Sequence, residues 1–338
     1  MRDIDGLIFD PPQISTATVR SVENSQNDPT SLDLGIPELS EFVMARKDKV
    51  IGVLGDTSHG KTSLMTAIAR NMATQINADA GEIGVYITWE DNIEDFGLSD
   101  LANFSKIPIA SLYHGDIKGN RFERMMKASV ERAKTPLWLV GHSEASGARP
   151  RMTMADVWEV CDNLVNKQKR KIRFIMCDYL QRINRQDMRT EGETRMQYSG
   201  VMDSLKDLAL AYHPALFIGS QVSRSKVEST KWRQPQIHWA METSNFEHTC
   251  DGAISTWLPY KSNDVWADGE CLQEKQGTNG TAIFVSKDLM LVSILKQKKA
   301  KAPILKAVDF LPEYNMFVPY GRAEAERNII MNTSGEMA

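Results

Sequence analysis

Apolar residues in the middle of the chain fall into short unbroken runs separated by stretches with helical spacing. The runs cover 50–54 (VIGVL), 84–88 (GVYIT), 137–140 (LWLV), 173–177 (RFIMC), 215–219 (ALFIG) and 290–295 (MLVSIL). Runs without polar alternation bury both faces, as strands do inside a parallel sheet. Helices fit between several of them. The stretch 63–73 (SLMTAIARNMA) follows the first run directly. Thr153 and Asp156 form a box-like cap for a helix whose Val157, Val160, Cys161, Leu164 and Val165 share one face. A further amphipathic helix over 193–212 carries Leu205, Leu208, Ala209 and Tyr212 on one stripe and stops before Pro214. This alternation predicts an α/β fold with a mostly parallel central sheet and helices on both faces. The run 290–295, a lysine cluster and a second apolar stretch at 304–310 predict a C-terminal β-hairpin at the sheet edge.

The ends read differently. Residues 1–34 hold six acids against two bases and little apolar periodicity, which predicts an extended arm or linker placed to order on a neighbouring subunit. Residues 35–320 read as the core domain, and 321–338 as a polar tail. The whole chain has 338 residues, 40 basic and 44 acidic, for a formal charge of −4, so the part after the arm is neutral. That excludes a globally basic nucleic-acid binder. No apolar run is long enough to span a bilayer and no signal peptide is evident, so the expected location is the cytoplasm. Cys161, Cys177, Cys250 and Cys271 form no close pair, which predicts reduced, mostly buried thiols rather than a disulfide or zinc framework.

The chemistry begins at Gly55-Asp56-Thr57-Ser58-His59-Gly60-Lys61-Thr62, which fits G-x-x-x-x-G-K-[ST] between a strand and a helix, with Ser63 following. A loop wrapping a triphosphate needs backbone N–H groups converging at a helix N-terminus and glycines where a side chain would strike oxygen. Lys61 then reaches the β- and γ-phosphates of ATP, and Thr62 ligates Mg²⁺. Asp178, at the C-terminal end of a strand, is the expected second metal-side acid. Glu90 and Asp91 close another strand, where a carboxylate would orient the attacking water, and spacing alone does not choose between them. Gln221, just past the strand 215–219, is positioned to bond the γ-phosphate.

Beyond the phosphate loop, Asp178-Tyr179-Leu180-Gln181, Ser204-Leu205-Lys206-Asp207-Leu208-Ala209 and Ser220-Gln221-Val222-Ser223-Arg224 follow in the order DYLQ, LKxLA, SQxxR. In this the chain resembles the RecA-like ATPase domain of DnaB-type replicative helicases over most of residues 35–320. The resemblance implies a RecA-like P-loop NTPase core and Glu90 as the catalytic glutamate. Arg233-Gln234-Pro235 and Glu242-Thr243-Ser244, with Glu247 and Asp251, are similar to a later family motif, with Met241 and Ser244 as departures.

The resemblance also implies assembly. Lys296 and Lys298, two apart on one strand face, match a family position where a lysine and an arginine reach the γ-phosphate held by the adjacent subunit. Here a lysine stands for the arginine, which keeps the charge but loses the planar fork. Residues acting in trans imply a homo-oligomer, in this family a hexameric ring. Two basic segments leave the same sheet edge. One carries Arg182, Arg185, Arg189 and Arg195, and the other Arg224, Lys226, Lys231 and Arg233, expected to hold single-stranded DNA. The family's primase-contacting N-terminal domain does not fit in a 34-residue arm, so the reading is a reduced phage or plasmid type helicase, with primase or a loader as the implied further partner. Two alternatives remain at this level: a filament-forming recombinase, and an ATP-gated DNA scaffold or loader with little turnover.

Overall fold

An apolar run becomes a buried strand only if both of its faces meet a layer of side chains, and alternation along the strands shows that they do. The computed structural model describes residues 10–27, 31–43, 45–144, 152–183, 191–240, 243–274, 281–297 and 302–334. In chain order the strands are β1 (Val50–Gly55), β2 (Glu82–Asn92), β3 (Leu137–His142), β4 (Lys171–Asp178), β5 (Ala215–Gln221), β6 (Gly252–Trp257), β7 (Cys271–Gln273), β8 (Ile283–Phe284), β9 (Leu289–Gln297), β10 (Ile304–Leu311) and β11 (Met316–Pro319). The helices are α1 (Pro11–Asn27), α2 (Pro37–Ser40), α3 (Lys61–Ala73), α4 (Ile93–Ser105), α5 (Ile109–Tyr113), α6 (Asn120–Lys134), α7 (Met154–Asp162), α8 (Glu191–Tyr212), α9 (Arg224–Glu228), α10 (Thr243–Thr249) and α11 (Ala323–Ser334).

Nine strands form one sheet in the order β11-β10-β9-β6-β1-β5-β4-β2-β3, and β7 pairs with β8 separately. From β6 to β3 the neighbours run parallel, whereas β9, β10 and β11 are antiparallel. One sheet face carries Ile51, Val53, Met176 and Phe217 against Leu64, Met65 and Ile68 of α3. The other carries Val50, Leu54, Ile175 and Ile218 against Val157 of α7, Leu205 and Leu208 of α8 and Phe246 of α10. The expected architecture, with helices on both faces and a C-terminal hairpin, is therefore present; the hairpin is β9 and β10, and its turn at 298–301 lies outside the described residues. The cap at Thr153 is a full capping box with Asp156. Cys161, Cys177 and Cys250 are buried free thiols and Cys271 is exposed.

Three features differ from the sequence expectation. The arm is not extended, because 11–27 is a helix whose first turn is closed reciprocally: Gln13 N–H donates to Asp10 Oδ1 at 2.7 Å, and Asp10 N–H to Gln13 Oε1 at 2.8 Å. Asp-Pro-Pro-Gln is a helix-start signal hidden in a polar composition. Second, the polar tail is largely α11, where the amides of Arg322 and Ala323 at its start are capped at 2.8 and 2.9 Å by Asp309 of β10. Third, β6 lies beside β1 at the centre of the sheet, yet its sequence GAISTW contains too few large apolar residues to register as a buried run. In addition, Leu32 and Leu34 belong to the core, so the compact unit begins before residue 35.

Close packing between β2 and β4 depends on one missing side chain. Gly84 faces Phe174 in register, and a Cβ at Gly84 would lie 2.1 Å from the ring. Gly84→Ala is expected to cost about 1–3 kcal/mol by overpacking, read as a lowered urea midpoint, and Phe174→Leu in the same chain should recover part of it. A Gly84→Ala protein as stable as the parent would disprove this account of the packing.

Candidate functional site

The parallel strands β1, β2, β4 and β5 end on one edge of the sheet, and the loops leaving that edge surround a cleft of about 430 Å³. This volume is within the range of small-molecule sites. Its floor is the turn from β1 into α3, with Asp56, Thr57, Ser58, Gly60, Lys61, Thr62 and Ser63 in the lining. Gly55 ends β1 just beneath. Gly60 caps α3 with φ 79°, a left-handed conformation that favours glycine. Asp56 shapes the turn by accepting the Thr57 N–H at 2.7 Å. The His59 ring is engaged by the segment that follows β6: its Nδ1 accepts the Leu258 N–H at 3.2 Å, and burial holds its pKa below the usual histidine value, which preserves the neutral acceptor.

Lys61 is buried and its ammonium donates to Asp178 Oδ1 at 2.8 Å. The Tyr86 hydroxyl donates to the other carboxylate oxygen at 2.8 Å, and burial followed by the Asp178 charge pushes the Tyr86 pKa up, so the phenol keeps its proton. The Lys61 ammonium also lies 4.1 Å from the centre of the Tyr179 ring. The start of α3, the end of β4 and the middle of β2 thereby bring Lys61, Asp178 and Tyr86 together. Glu90, Asp91 and Gln221 line the same cleft. Gln221 is oriented through its backbone, whose N–H donates to Gln181 Oε1 at 3.1 Å while Gln181 Nε2 donates to Ser220 Oγ at 2.9 Å. Asp91 is pushed up to about 6, first by desolvation and then by the Asp178 and Glu90 carboxylates.

Crowded acids beside a hydroxyl at a helix N-terminus fit a divalent cation held jointly with phosphate oxygens. Among the described residues no set of three His, Cys, Asp or Glu side chains is arranged to hold a metal alone. Thr62 and Asp178 would therefore hold Mg²⁺ only together with nucleotide and water. Sequence reasoning did not find Tyr86, Lys261, Phe310 or Asn315, the last three of which also line the cleft. Lys261, whose ammonium donates to the Ser58 carbonyl at 2.7 Å, carries no local signal because it arrives from beyond β6.

The remaining assignments separate from this edge. Lys296 pairs with Ala253 of β6, which runs parallel to β1 at the level of Gly52, whereas Gly55 pairs with Thr256. Lys296 thus stands some three residues of strand, or about 10 Å, back from the phosphate loop and two strands aside. Its ammonium donates to the Glu247 carbonyl. Asp251 lies at that same far end, accepting from the Val50 N–H at 3.1 Å and Lys206 at 3.0 Å. Lys298, Arg185 and Arg189 lie outside the described residues, and of Arg182, Arg195 and Arg224 only the backbone is described. Arg195 falls within α8 and Arg224 opens α9, so both basic segments are partly helical rather than loops throughout. Lys226 is exposed on α9. Lys231 pairs with Glu270 at 2.9 Å, and Arg233 makes a two-pronged contact to Asp264 at 2.9 and 2.5 Å. Within the segment itself Glu228 is the one acid, and the structure adds Glu270 and Asp264 from a distant stretch. Tyr198 is core.

Among the described residues no helix is long and apolar enough to cross a membrane. No curated protein matches the chain. Among solved structures, one described as an ATPase domain is similar with a TM-score of 0.71 at 17% identity, covering 91% of this chain and 99% of that one. The structure of a DnaB-like replicative helicase and its interactions with primase is similar with a TM-score of 0.63 at 17% identity, covering 81% of this chain and 59% of that one. At these identities the likeness carries the fold, a mostly parallel α/β sheet with a C-terminal antiparallel hairpin, in keeping with the RecA-like core that the resemblance implied. The family described as DnaB-like helicase C terminal domain matches residues 32–314, and the chain accordingly belongs to that family.

Proposed function

We propose that the protein is an ATP-dependent helicase motor that translocates on single-stranded DNA as a hexameric ring and separates strands during replication in the cytoplasm. The observation that carries this reading is the convergence of Lys61, Asp178, Glu90 and Gln221 on one cleft while Lys296 stands at the opposite end of the central strands.

In the proposed cycle the α3 amides and Lys61 bind the β- and γ-phosphates of ATP, and Thr62 and Asp178 hold Mg²⁺. Mg²⁺, when bound, neutralises phosphate charge. Glu90 orients the attacking water and accepts its proton, and Gln221 bonds the γ-phosphate. Lys296 and Lys298 serve the site of the next subunit, since within one chain Lys296 is too far from the phosphate loop. Head-to-tail contacts of this kind close into rings.

The termini fit assembly as well. On α1, Ile14, Val19 and Val22 are exposed, and α6 exposes Phe122, Met126 and Val130 at spacings of four. Docking of α1 from one subunit on α6 of another would cover both apolar faces. Arg182, Arg185, Arg189, Arg195, Arg224, Lys226, Lys231 and Arg233 are proposed to face the strand in the ring channel. The similar helicase structure concerns interactions with primase, and a primase or a loader is proposed as a partner here too.

Two measurements test the assignment. Glu90→Gln should lower DNA-stimulated ATPase by about 10²-fold or more while nucleotide still binds, and Lys61→Ala should abolish hydrolysis. Unwinding of a forked duplex should fail with both, and vigorous hydrolysis by Glu90→Gln would reject its role. Action in trans makes a sharper forecast. Lys61→Ala and the double variant Lys296→Ala/Lys298→Ala should each be inactive alone, yet mixing them should restore measurable ATPase, because some interfaces then combine an intact phosphate loop with intact lysines. Mixed assemblies as inactive as their components would overturn the trans arrangement. Closed rings in micrographs support the motor reading, and filaments on DNA support a recombinase instead.

A further inference from the structure

Residues 257–270 contact both the phosphate loop and the segment around Arg233, although neither the helicase motifs nor the proposed cycle uses them. Their first half grips the loop apex. Leu258 N–H donates to His59 Nδ1 at 3.2 Å and Lys261 Nζ donates to the Ser58 carbonyl at 2.7 Å. Their second half grips the basic segment. Asp264 binds both terminal nitrogens of Arg233, Glu270 binds Lys231 at 2.9 Å, and the Trp266 indole N–H donates to the Lys231 carbonyl at 2.8 Å. The Lys231 ammonium also lies 4.1 Å from the centre of the Trp266 ring.

Between the halves the packing is aromatic. Trp232, Trp257 and Trp266 meet edge to face, with ring centres 5.2, 6.4 and 6.4 Å apart. Trp257 is fully buried and its indole N–H is fixed to Ser262 Oγ at 3.1 Å. Edge-to-face indoles transmit displacement because a shift of one ring opens voids or clashes at the other two. Trp257 is the last residue of β6, so this packing anchors the start of the strap to the sheet.

We propose that residues 257–270 form a strap that couples the two phosphate-binding regions, with Asp264 and Glu270 occupying Arg233 and Lys231 until nucleotide draws the strap away. The inference rests on the reading of Arg233 and Lys231 as strand-binding cations. The strap holds the Ser58 carbonyl and the His59 ring, both in the loop proposed to wrap the triphosphate, so nucleotide bound there acts directly on the strap's anchors. Carboxylates paired to Arg233 and Lys231 compete with DNA phosphates for the same donors. Releasing them raises affinity for a strand, and by linkage a bound strand raises affinity for nucleotide by the same factor.

The test compares binding of a fluorescent oligo-dT by the full chain with and without a non-hydrolysable ATP analogue and Mg²⁺, at one salt concentration. The parent protein should bind at least ~5-fold more tightly with the analogue, the lower end of ordinary coupling. Asp264→Asn keeps the shape and removes the competing charge, so its nucleotide-free affinity should rise and its nucleotide effect should shrink below ~2-fold. Trp266→Phe, with the acids intact, should weaken the nucleotide effect without raising nucleotide-free affinity. An Asp264→Asn protein that keeps the parental ratio and parental nucleotide-free affinity overturns the strap while leaving the helicase reading intact, and so does a parent that binds DNA equally with and without the analogue. A parent that binds no oligo-dT in either state removes the DNA-binding reading itself, and the strap with it.

Discussion

A lysine and an aspartate buried against each other at the C-terminal edge of the sheet set the terms for the rest of the molecule. Taking both charges out of water is costly, and the pair persists only because each partner has further support. Asp178 receives the Tyr86 hydroxyl as well as the Lys61 ammonium, and Lys61 also lies on the Tyr179 ring. Those supports come from β2, β4 and the start of α3, so the interior ordering of the parallel strands is what holds the pair together. Phosphate oxygens and a divalent cation would offer the two groups new partners of opposite charge, and the crowding of Asp91 against Asp178 and Glu90 adds to the advantage of a cation there.

Sheet polarity then decides what a single chain can reach. The parallel strands point their C-terminal ends to the edge that holds the cleft, while the antiparallel β9 delivers Lys296 to the other end. A cation needed at a phosphate but built on an antiparallel neighbour must come from another molecule. The proposed dependence of hydrolysis on assembly thus follows from one reversal of strand direction between β6 and β9.

Charge balance is arranged with similar economy. The chain carries slightly more acid than base, and two of the bases proposed to hold DNA are neutralised locally by Asp264 and Glu270. A basic surface that is masked in this way binds polyanions less indiscriminately than an open one. The same acids belong to a segment that also holds the phosphate loop, which is why the proposed strap touches both sites.

What the residues determined by themselves was local: the phosphate loop, its flanking strand and helix, the six apolar strands and the capping box at Thr153 were all legible because spacing and side-chain type carry those signals along the chain. Asp178, Gln221 and the neighbouring Glu90 and Asp91 could be placed at one edge for a related reason, since parallel strands bring their ends together, whereas Glu90 was singled out over Asp91 only by the family resemblance. The helical arm escaped notice because its start signal, Asp-Pro-Pro-Gln, sits in a polar stretch without an apolar stripe. Only the tertiary structure decided the rest. β6 is a central strand by virtue of its neighbours rather than of its own small residues, and α11 owes its first turn to Asp309 on another element. The partners of His59, Lys231 and Arg233 come from 257–270, a segment with no pattern of its own, because charge pairing and close packing depend on distance in space and leave no periodic trace along the chain.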